Sequence, residues 1–133
     1  MSKYFTIEEL TRSSVAEARR IDNRPTSPIR LKLEQLIDRC LDPIRECWGG
    51  PITVNSGFRC PVLNRAVGGA SSSQHMKGEA ADITAGSPER NRQLFEMIVS
   101  GDFSFDQLID ESHYAWIHIS YADGKNRKQI LHL

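Results

Sequence analysis

The sequence has 133 residues, with 17 Lys and Arg and 17 Asp and Glu, so its formal net charge at pH 7 is zero. This length suits one domain with a single core, and the balanced charge argues against a surface built to bind nucleic acid. No stretch approaches the roughly 20 apolar residues that cross a bilayer, and the first residues lack the apolar segment of a secretory signal. We therefore expect one soluble domain at 1–133, with an N-terminal helix and loop at 1–27 and a core at 28–133. We also expect synthesis in the cytoplasm, no nucleic-acid partner and no membrane insertion.

The first part of the chain is predicted to be mostly helical. Thr6 and Glu9 form a capping box, which predicts a short helix. After a loop with two prolines, Ser27 is expected to cap a long helix with Pro28 at its first position. Pro43 should kink that helix or remove one of its hydrogen bonds, and the following Gly-Gly pair should end it. Its apolar face recurs at helical spacing and comprises Leu33, Leu36, Ile37, Cys40, Leu41, Ile44, Cys47 and Trp48.

The second part of the chain mixes strands with helices. Strand-like segments lie at 51–55, 79–84, 105–109 and 115–121, and a helical turn is expected at 61–66. Ser87 and Pro88 start another helix, which should end at Gly101. The residues that this helix is expected to bury are Leu94, Phe95, Ile98 and Val99. Because no regular βαβ alternation is present, the sequence predicts an α+β fold.

The three cysteines are expected to be reduced thiols. Cys40 and Cys47 lie seven residues apart on the predicted helix. Their Cα atoms would therefore be roughly 10 Å apart, beyond the reach of about 7 Å that a disulfide allows. Cys60 is isolated, and no CxxC pair is present for a cysteine-based zinc site. Reduced thiols fit a cytosolic origin.

Two histidines and one aspartate form a candidate metal site. Asp82 follows His75 by seven residues, and His118 lies on a strand-like segment near the C-terminus. Alternate side chains of a strand share a face, so Asp82 and His118 can converge if their strands are neighbours. Gly78 permits a bend that lets His75 approach them. Any one of these residues alone is more often an ordinary surface or core residue. Together they are a three-ligand set that leaves one tetrahedral position of a zinc ion open for water, as a catalytic site requires.

The residues around this set form a longer pattern. Its members are Ser73, His75, Gly78, Ala80 and Asp82, followed by Trp116 and His118. The segment Asn-Ser-Gly-Phe-Arg at 55–59 and the residues Asn64, Gly68 and Gly69 add to it. The pattern resembles the zinc D-alanyl-D-alanine carboxypeptidase family, which includes D-Ala-D-Ala dipeptidases, phage L-alanyl-D-glutamate endolysins and the zinc-binding domain of Hedgehog. The resemblance covers almost the whole chain. It implies a small antiparallel β-sheet flanked by helices, with a zinc site in a groove on one face of the sheet.

The resemblance also implies roles for individual residues. Arg59 would bind a substrate carboxylate or the developing oxyanion, although a surface salt bridge is the alternative. Ser73 would hydrogen-bond the substrate backbone, or it would simply shape its loop. Trp116 would line the groove, or its indole would pack in the core. One Zn²⁺ ion would be held by His75, Asp82 and His118.

The general base departs from the common family pattern. Many family members carry a carboxylate three residues before the last zinc histidine, and Ala115 occupies that position here. Because other members place the acid further upstream, the resemblance implies Glu111 as the base, with Asp110 as its neighbour. His113 would stabilise the tetrahedral intermediate, and an exposed turn histidine is the alternative.

These assignments predict a zinc peptidase, acting as a monomer, that hydrolyses amide bonds in peptidoglycan stem peptides or cross-links next to D-amino acids. Ala115 leaves open a zinc-binding module of the same fold that lacks catalysis. The absence of a signal sequence leaves open a cytoplasmic dipeptidase acting on free D-Ala-D-Ala. It also leads us to expect a phage or prophage lysis enzyme, or a virion-associated one, that reaches the cell wall after release.

Overall fold

The computed structural model describes residues 2–133, in which helices pack against a five-stranded sheet. The helices are α1 (Ile7–Thr11), α2 (Ser14–Ala18), α3 (Ser27–Leu36), α4 (Asp42–Trp48), α5 (Pro61–Ala66) and α6 (Pro88–Ser100). A π-helical turn (Ile37–Leu41) joins α3 to α4, and a 3-10 turn (Gln74–Lys77) precedes the second strand. The strands are β1 (Thr53–Ser56), β2 (Ala80–Thr84), β3 (Gln107–Glu111), β4 (Trp116–Ser120) and β5 (Gln129–His132).

The sheet is mostly antiparallel, with the strand order β1-β2-β4-β3-β5. Only the pairing of β3 with β5 is parallel. Strands β2 and β4 are neighbours, and Asp82 lies directly opposite His118 in their register. The predicted α+β fold with a small antiparallel sheet and flanking helices is thus confirmed.

The two faces of the sheet have different chemistry because side chains alternate along each strand. On one face, Ile83 pairs with Ile117 and Ala81 pairs with Ile119, and all four are fully buried in the core beneath the helices. The opposite face carries the polar residues that the register places beside one another: Asp82, Glu111, Trp116 and His118. One face therefore stabilises the fold, and the other is available for a binding site.

Pro43 is accommodated by a local change in helical geometry. Proline lacks an N–H group, and its ring clashes with the carbonyl four residues earlier in a regular α-helix. The preceding turn is π-helical, and the N–H of Asp42 donates to the carbonyl of Ile37, five residues back. The helix then continues as α4 and ends at Gly49, whose φ of 75° is left-handed. The predicted end at the Gly-Gly pair is confirmed.

Several sequence-based expectations need correction. The N-cap of α3 is Thr26 rather than Ser27, which is itself helical. Val99 is 45% exposed, because it lies on the outer side of α6. Helix α2 and strand β5 were not predicted: α2 has only five residues, and β5 depends on pairing with the distant β3. The three cysteines are free, as expected. Within residues 2–133, no helix combines the length and apolar character needed to cross a membrane.

A buried carboxylate connects the end of the chain to the 3-10 turn. Asp106 is 3% exposed, and its carboxylate accepts hydrogen bonds from Nε of Arg127 at 2.8 Å and from Nε2 of Gln74 at 2.7 Å. The hydrogen bonds from the Arg127 guanidinium hold the pKa of Asp106 below its usual range, against the opposing effect of burial. Asp106 thus joins the turn that contains Gln74 to the segment before β5.

The substitution Asp106→Asn tests this contribution to stability. A carboxylate whose pKa is lower in the folded than in the unfolded state stabilises the fold above its unfolded pKa of about 3.9, and that stabilisation disappears as the pH falls through the folded pKa. We expect D106N to lower the free energy of unfolding at pH 7 by about 2 kcal/mol, and the difference from the wild type to shrink as the pH falls below about 4. Urea denaturation across that pH range measures both effects.

The control is Asp102→Asn. Asp102 is fully exposed, and its ion pair with the exposed Nζ of Lys128, at 3.6 Å, contributes little to stability. This variant should unfold like the wild type at every pH. A destabilisation by D106N that stays constant from neutral to acidic pH would contradict the assignment.

Candidate metal centre

His75, Asp82 and His118 converge on one point beside the sheet. Asp82 comes from β2, His118 from β4 and His75 from the 3-10 turn. Oδ1 of Asp82 lies 3.3 Å from Nε2 of His75 and 3.1 Å from Nδ1 of His118. One donor atom from each residue lies within 4.8 Å of the other two. The structure therefore brings together the three residues that the sequence suggested as metal ligands.

The turn between His75 and Asp82 needs a glycine. Gly78 has a φ of 73°, and a Cβ atom there would lie 2.9 Å from the carbonyl oxygen of Ile29. Ser73 fixes the start of the same turn, because its hydroxyl accepts a hydrogen bond from the N–H of His75 at 3.1 Å. The short segment can therefore reverse direction and return His75 to the strand that carries Asp82.

The His75 ring is held in one orientation. Its Nδ1 lies 2.7 Å from the carbonyl oxygen of Gly57, and the ring is buried. A carbonyl can only accept a hydrogen bond, so Nδ1 carries a proton, and Nε2 is the ring nitrogen that faces Asp82. The backbone carbonyl of His75 in turn accepts the N–H of Arg59 at 3.1 Å. A hydrogen bond from the ring nitrogen that does not bind the metal, like that from Nδ1 to Gly57, is the usual means of orienting a metal-binding histidine.

The donor set fits a zinc ion. Tetrahedral zinc with bonds of about 2.0–2.1 Å places its ligand atoms roughly 3.3 Å apart. The distances of 3.3 and 3.1 Å at Asp82 match this separation. Burial of Asp82 favours the neutral acid, but hydrogen bonds with His118 and His75 outweigh it and hold the pKa of Asp82 well below its usual range. Asp82 is therefore an anion at neutral pH, as a metal ligand must be.

An open cleft of about 390 Å³ surrounds the three residues. The other predicted site residues that line it are Arg59, Ser73, Glu111 and Trp116. His113 lies instead in the exposed turn between β3 and β4, with a φ of 55°, and is not among the lining residues. The catalytic and substrate-binding roles of all these residues remain predictions.

Two polar side chains in the cleft are held by neighbours. Oε2 of Glu111 accepts a hydrogen bond from the indole Nε1 of Trp116 at 3.0 Å. Nε of Arg59 donates to Oδ1 of Asn64 at 3.1 Å, and its terminal nitrogen donates to the hydroxyl of Ser73 at 3.3 Å. Trp116 thus both lines the cleft and orients a carboxylate, and Arg59 is fixed by its neighbours.

The acidic residues of the cleft favour the protonated form of Arg59. Burial lowers the pKa of Arg59, while the negative charges of Asp82 and Glu111 act in the opposite direction. An arginine remains protonated at neutral pH under such conditions. The cleft therefore presents a guanidinium beside the three candidate ligands.

Asn23 supports the centre from outside, in a role that sequence reasoning missed. Its Nδ2 donates to the carbonyls of Thr11 and Phe58, both at 2.9 Å, and its Oδ1 accepts the N–H of Cys60 at 2.8 Å. Asn23 therefore fixes the segment that carries the carbonyl of Gly57. A single loop asparagine has no local pattern that reveals such contacts, since all of them are tertiary.

Gly57 is needed at its position because the chain packs closely there. A Cβ atom at Gly57 would lie 2.2 Å from the carbonyl oxygen of Leu10. The N–H of Phe58 donates to that same carbonyl at 2.7 Å. The N-terminal helices are thus attached to the backbone that orients His75.

Comparison with known proteins agrees with the geometry. A family model described as Peptidase M15 matches residues 3–120. The chain belongs to the Peptidase M15 family. The predicted resemblance is thereby confirmed, and membership implies that the protein is a peptidase.

The chain is also similar to the zinc D-Ala-D-Ala carboxypeptidase of Streptomyces albus G, with 56% identity over 48 residues. That match covers 35% of this chain and 19% of the relative, so this M15 peptidase aligns with only a small part of that protein.

The substitutions Asn23→Ala and Gly57→Ala test the support of His75 in this M15 peptidase. Each would loosen the segment that holds the His75 ring without changing a candidate ligand. We expect the dissociation constant for Zn²⁺ to rise by about 10- to 100-fold. Competition with a chromophoric chelator measures it, under conditions in which circular dichroism shows the variants to be folded.

Asn126→Ala is the matched control, because Oδ1 of Asn126 accepts the N–H of Ala122 at 2.9 Å in a turn after β4. Its zinc affinity should equal that of the wild type. Folded Asn23 and Gly57 variants with wild-type affinity would show that the outer contacts do not position the ligand.

Proposed function

We propose that this M15 peptidase hydrolyses amide bonds in peptidoglycan stem peptides or cross-links, next to D-amino acids, and that it uses one Zn²⁺ ion. The observation that carries the proposal is the convergence of His75, Asp82 and His118 in a cleft that also presents Arg59 and Glu111. The similarity to a zinc D-Ala-D-Ala carboxypeptidase supports the choice of substrate. The openness of the cleft to solvent suits a polymer or a long peptide.

The ion would be held by His75 Nε2, Asp82 Oδ1 and His118 Nδ1. When bound there, zinc supplies a Lewis acid for the scissile carbonyl and lowers the pKa of a water to about 7. The protein supplies the remaining groups. Glu111 accepts the proton of the attacking water and passes it to the leaving amine. The hydrogen bond from Trp116 to Oε2 of Glu111 orients that carboxylate and leaves Oε1 available for proton transfer.

Substrate orientation depends on Arg59 and Ser73. Arg59 is the cationic group in the cleft and binds the terminal carboxylate of the substrate or the developing oxyanion. Asn64 and Ser73 fix its guanidinium before the substrate arrives. Less side-chain freedom is therefore lost on binding. The Ser73 hydroxyl, at the edge of the same cleft, is also available to hydrogen-bond the substrate backbone.

A zinc-binding module without catalysis is the second candidate function. It is favoured by Ala115, which occupies the position where many relatives carry the catalytic carboxylate. Under that hypothesis Glu111 has only a structural role, as acceptor for the Trp116 indole. The two candidates differ in what the loss of the Glu111 carboxylate would do to turnover.

The substitution Glu111→Gln separates the two functions. Glutamine preserves the shape of the side chain but cannot accept the proton. We expect the rate of hydrolysis of purified peptidoglycan to fall by about 10²- to 10⁴-fold, with Zn²⁺ still bound stoichiometrically. Mass spectrometry of the released fragments reports the rate and identifies the bond, and parallel digestion of free D-Ala-D-Ala distinguishes a dipeptidase from a wall enzyme.

The control is Glu89→Gln, which changes an exposed carboxylate in the first turn of α6, outside the cleft. It should hydrolyse the wall like the wild type, and a chelator should stop both proteins. If no wall preparation yields chelator-sensitive fragments, or if E111Q is fully active, the proposed mechanism is wrong.

A further inference from the structure

A second depression, of about 260 Å³, adjoins the cleft of the metal centre. Arg59 lines both cavities. The polar residues that line the second depression, besides Arg59, include Arg12, Ser14, Asn55 and Ser56. No aspartate or glutamate is among its lining residues. Two arginines and no acidic residue are therefore among the described residues that line this depression.

Arg12 has no anionic partner within the part of the chain that the structure describes. Arg24, Arg39 and Arg127 each pair with an aspartate, whereas Arg12 forms no ion pair within residues 2–133. The acids whose charges act on Arg59 are Asp82 and Glu111, both of which line the metal cleft. The charged residues that line the second depression are thus both positive, while Glu17 lines a separate depression that Arg12 also borders.

The backbone around Arg12 is fixed relative to Arg59. The N–H of Arg12 donates to the carbonyl of Glu8 at 2.9 Å, at the end of α1. The carbonyl of Leu10 accepts the N–H of Phe58 at 2.7 Å, next to Arg59 in the chain. Asn23 joins the same two segments through the carbonyls of Thr11 and Phe58. The two arginines therefore project from backbones that are held together, which reduces the cost of ordering them around a ligand.

We propose that this depression is a subsite for a second carboxylate of the substrate, bound by Arg12. The inference rests on the proposed function and specifies its substrate class: an acidic peptide with a free side-chain or α-carboxylate upstream of the bond that is cleaved at the metal centre. A guanidinium can bind a carboxylate through two parallel hydrogen bonds, and the amide of Asn55 and the hydroxyls of Ser14 and Ser56 offer further donors. Because Arg59 lines both cavities, a carboxylate bound by Arg12 would lie within a few residues of the scissile bond.

The test uses two peptides that end in D-Ala-D-Ala and differ only in whether an upstream glutamate is a free acid or its amide. We expect the wild type loaded with zinc to hydrolyse the acidic peptide with a kcat/KM at least about tenfold higher than that of the amidated one. In Arg12→Gln this ratio should fall toward one through a higher KM for the acidic peptide. Arg12→Lys, which keeps the charge, should restore part of it.

The charge-matched control is Arg92→Gln, on α6, which should retain the preference of the wild type. A second measurement does not depend on turnover: isothermal titration calorimetry of both peptides with zinc-loaded E111Q, alone and combined with R12Q. Tighter binding of the acidic peptide that disappears with R12Q supports the subsite even if the wild type hydrolyses neither peptide, in which case the proposed function fails on its own. Equal binding of the two peptides, or a preference unchanged by R12Q, overturns the subsite and leaves the peptidase proposal standing.

Discussion

The hydrogen bond between Nδ1 of His75 and the carbonyl of Gly57, at 2.7 Å, is the contact on which the candidate centre depends. It fixes the proton on Nδ1 and turns Nε2 toward Asp82. The carbonyl can hold the ring only because its own segment is fixed on the other side by Leu10 and Asn23. The N-terminal segment that contains Leu10 and Asn23 carries no candidate ligand, but it helps to orient His75.

The sheet both stabilises the fold and presents charged groups to solvent. Alternation along β2 and β4 places Ile83 and Ile117 in the core and Asp82 and His118 on the opposite face. The half-buried carboxylate of Asp82 is compensated by the two imidazoles rather than by a distant cation. A divalent ion at the same point would contact all three groups.

The polar groups of the cleft are held in pairs before any substrate binds. Trp116 orients Glu111, while Asn64 and Ser73 orient Arg59. Behind the cleft, Asp106 fixes Gln74, the residue next to His75, through a hydrogen bond of 2.7 Å. Preorganisation of this kind lowers the cost of binding and is where catalytic sites obtain much of their electrostatic stabilisation. In the second depression, the backbones that carry Arg12 and Arg59 are likewise held together before a ligand binds.

The sequence by itself determined the elements with local signals and the residues of the metal motif. Helix caps, the proline within the long helix and strand alternation are properties of neighbouring residues, so α1, α6 and the alternation of side chains around Asp82 and His118 could be predicted, whereas the pairing of β2 with β4 that brings the two residues together could not. Tertiary structure alone decided the contacts of Asn23, the support of Glu111 by Trp116, the parallel strand β5 and the position of Arg59 in the lining of two cavities. These join residues far apart in the chain. No short-range pattern encodes which distant backbone a side chain will meet, because that depends on how the whole core packs.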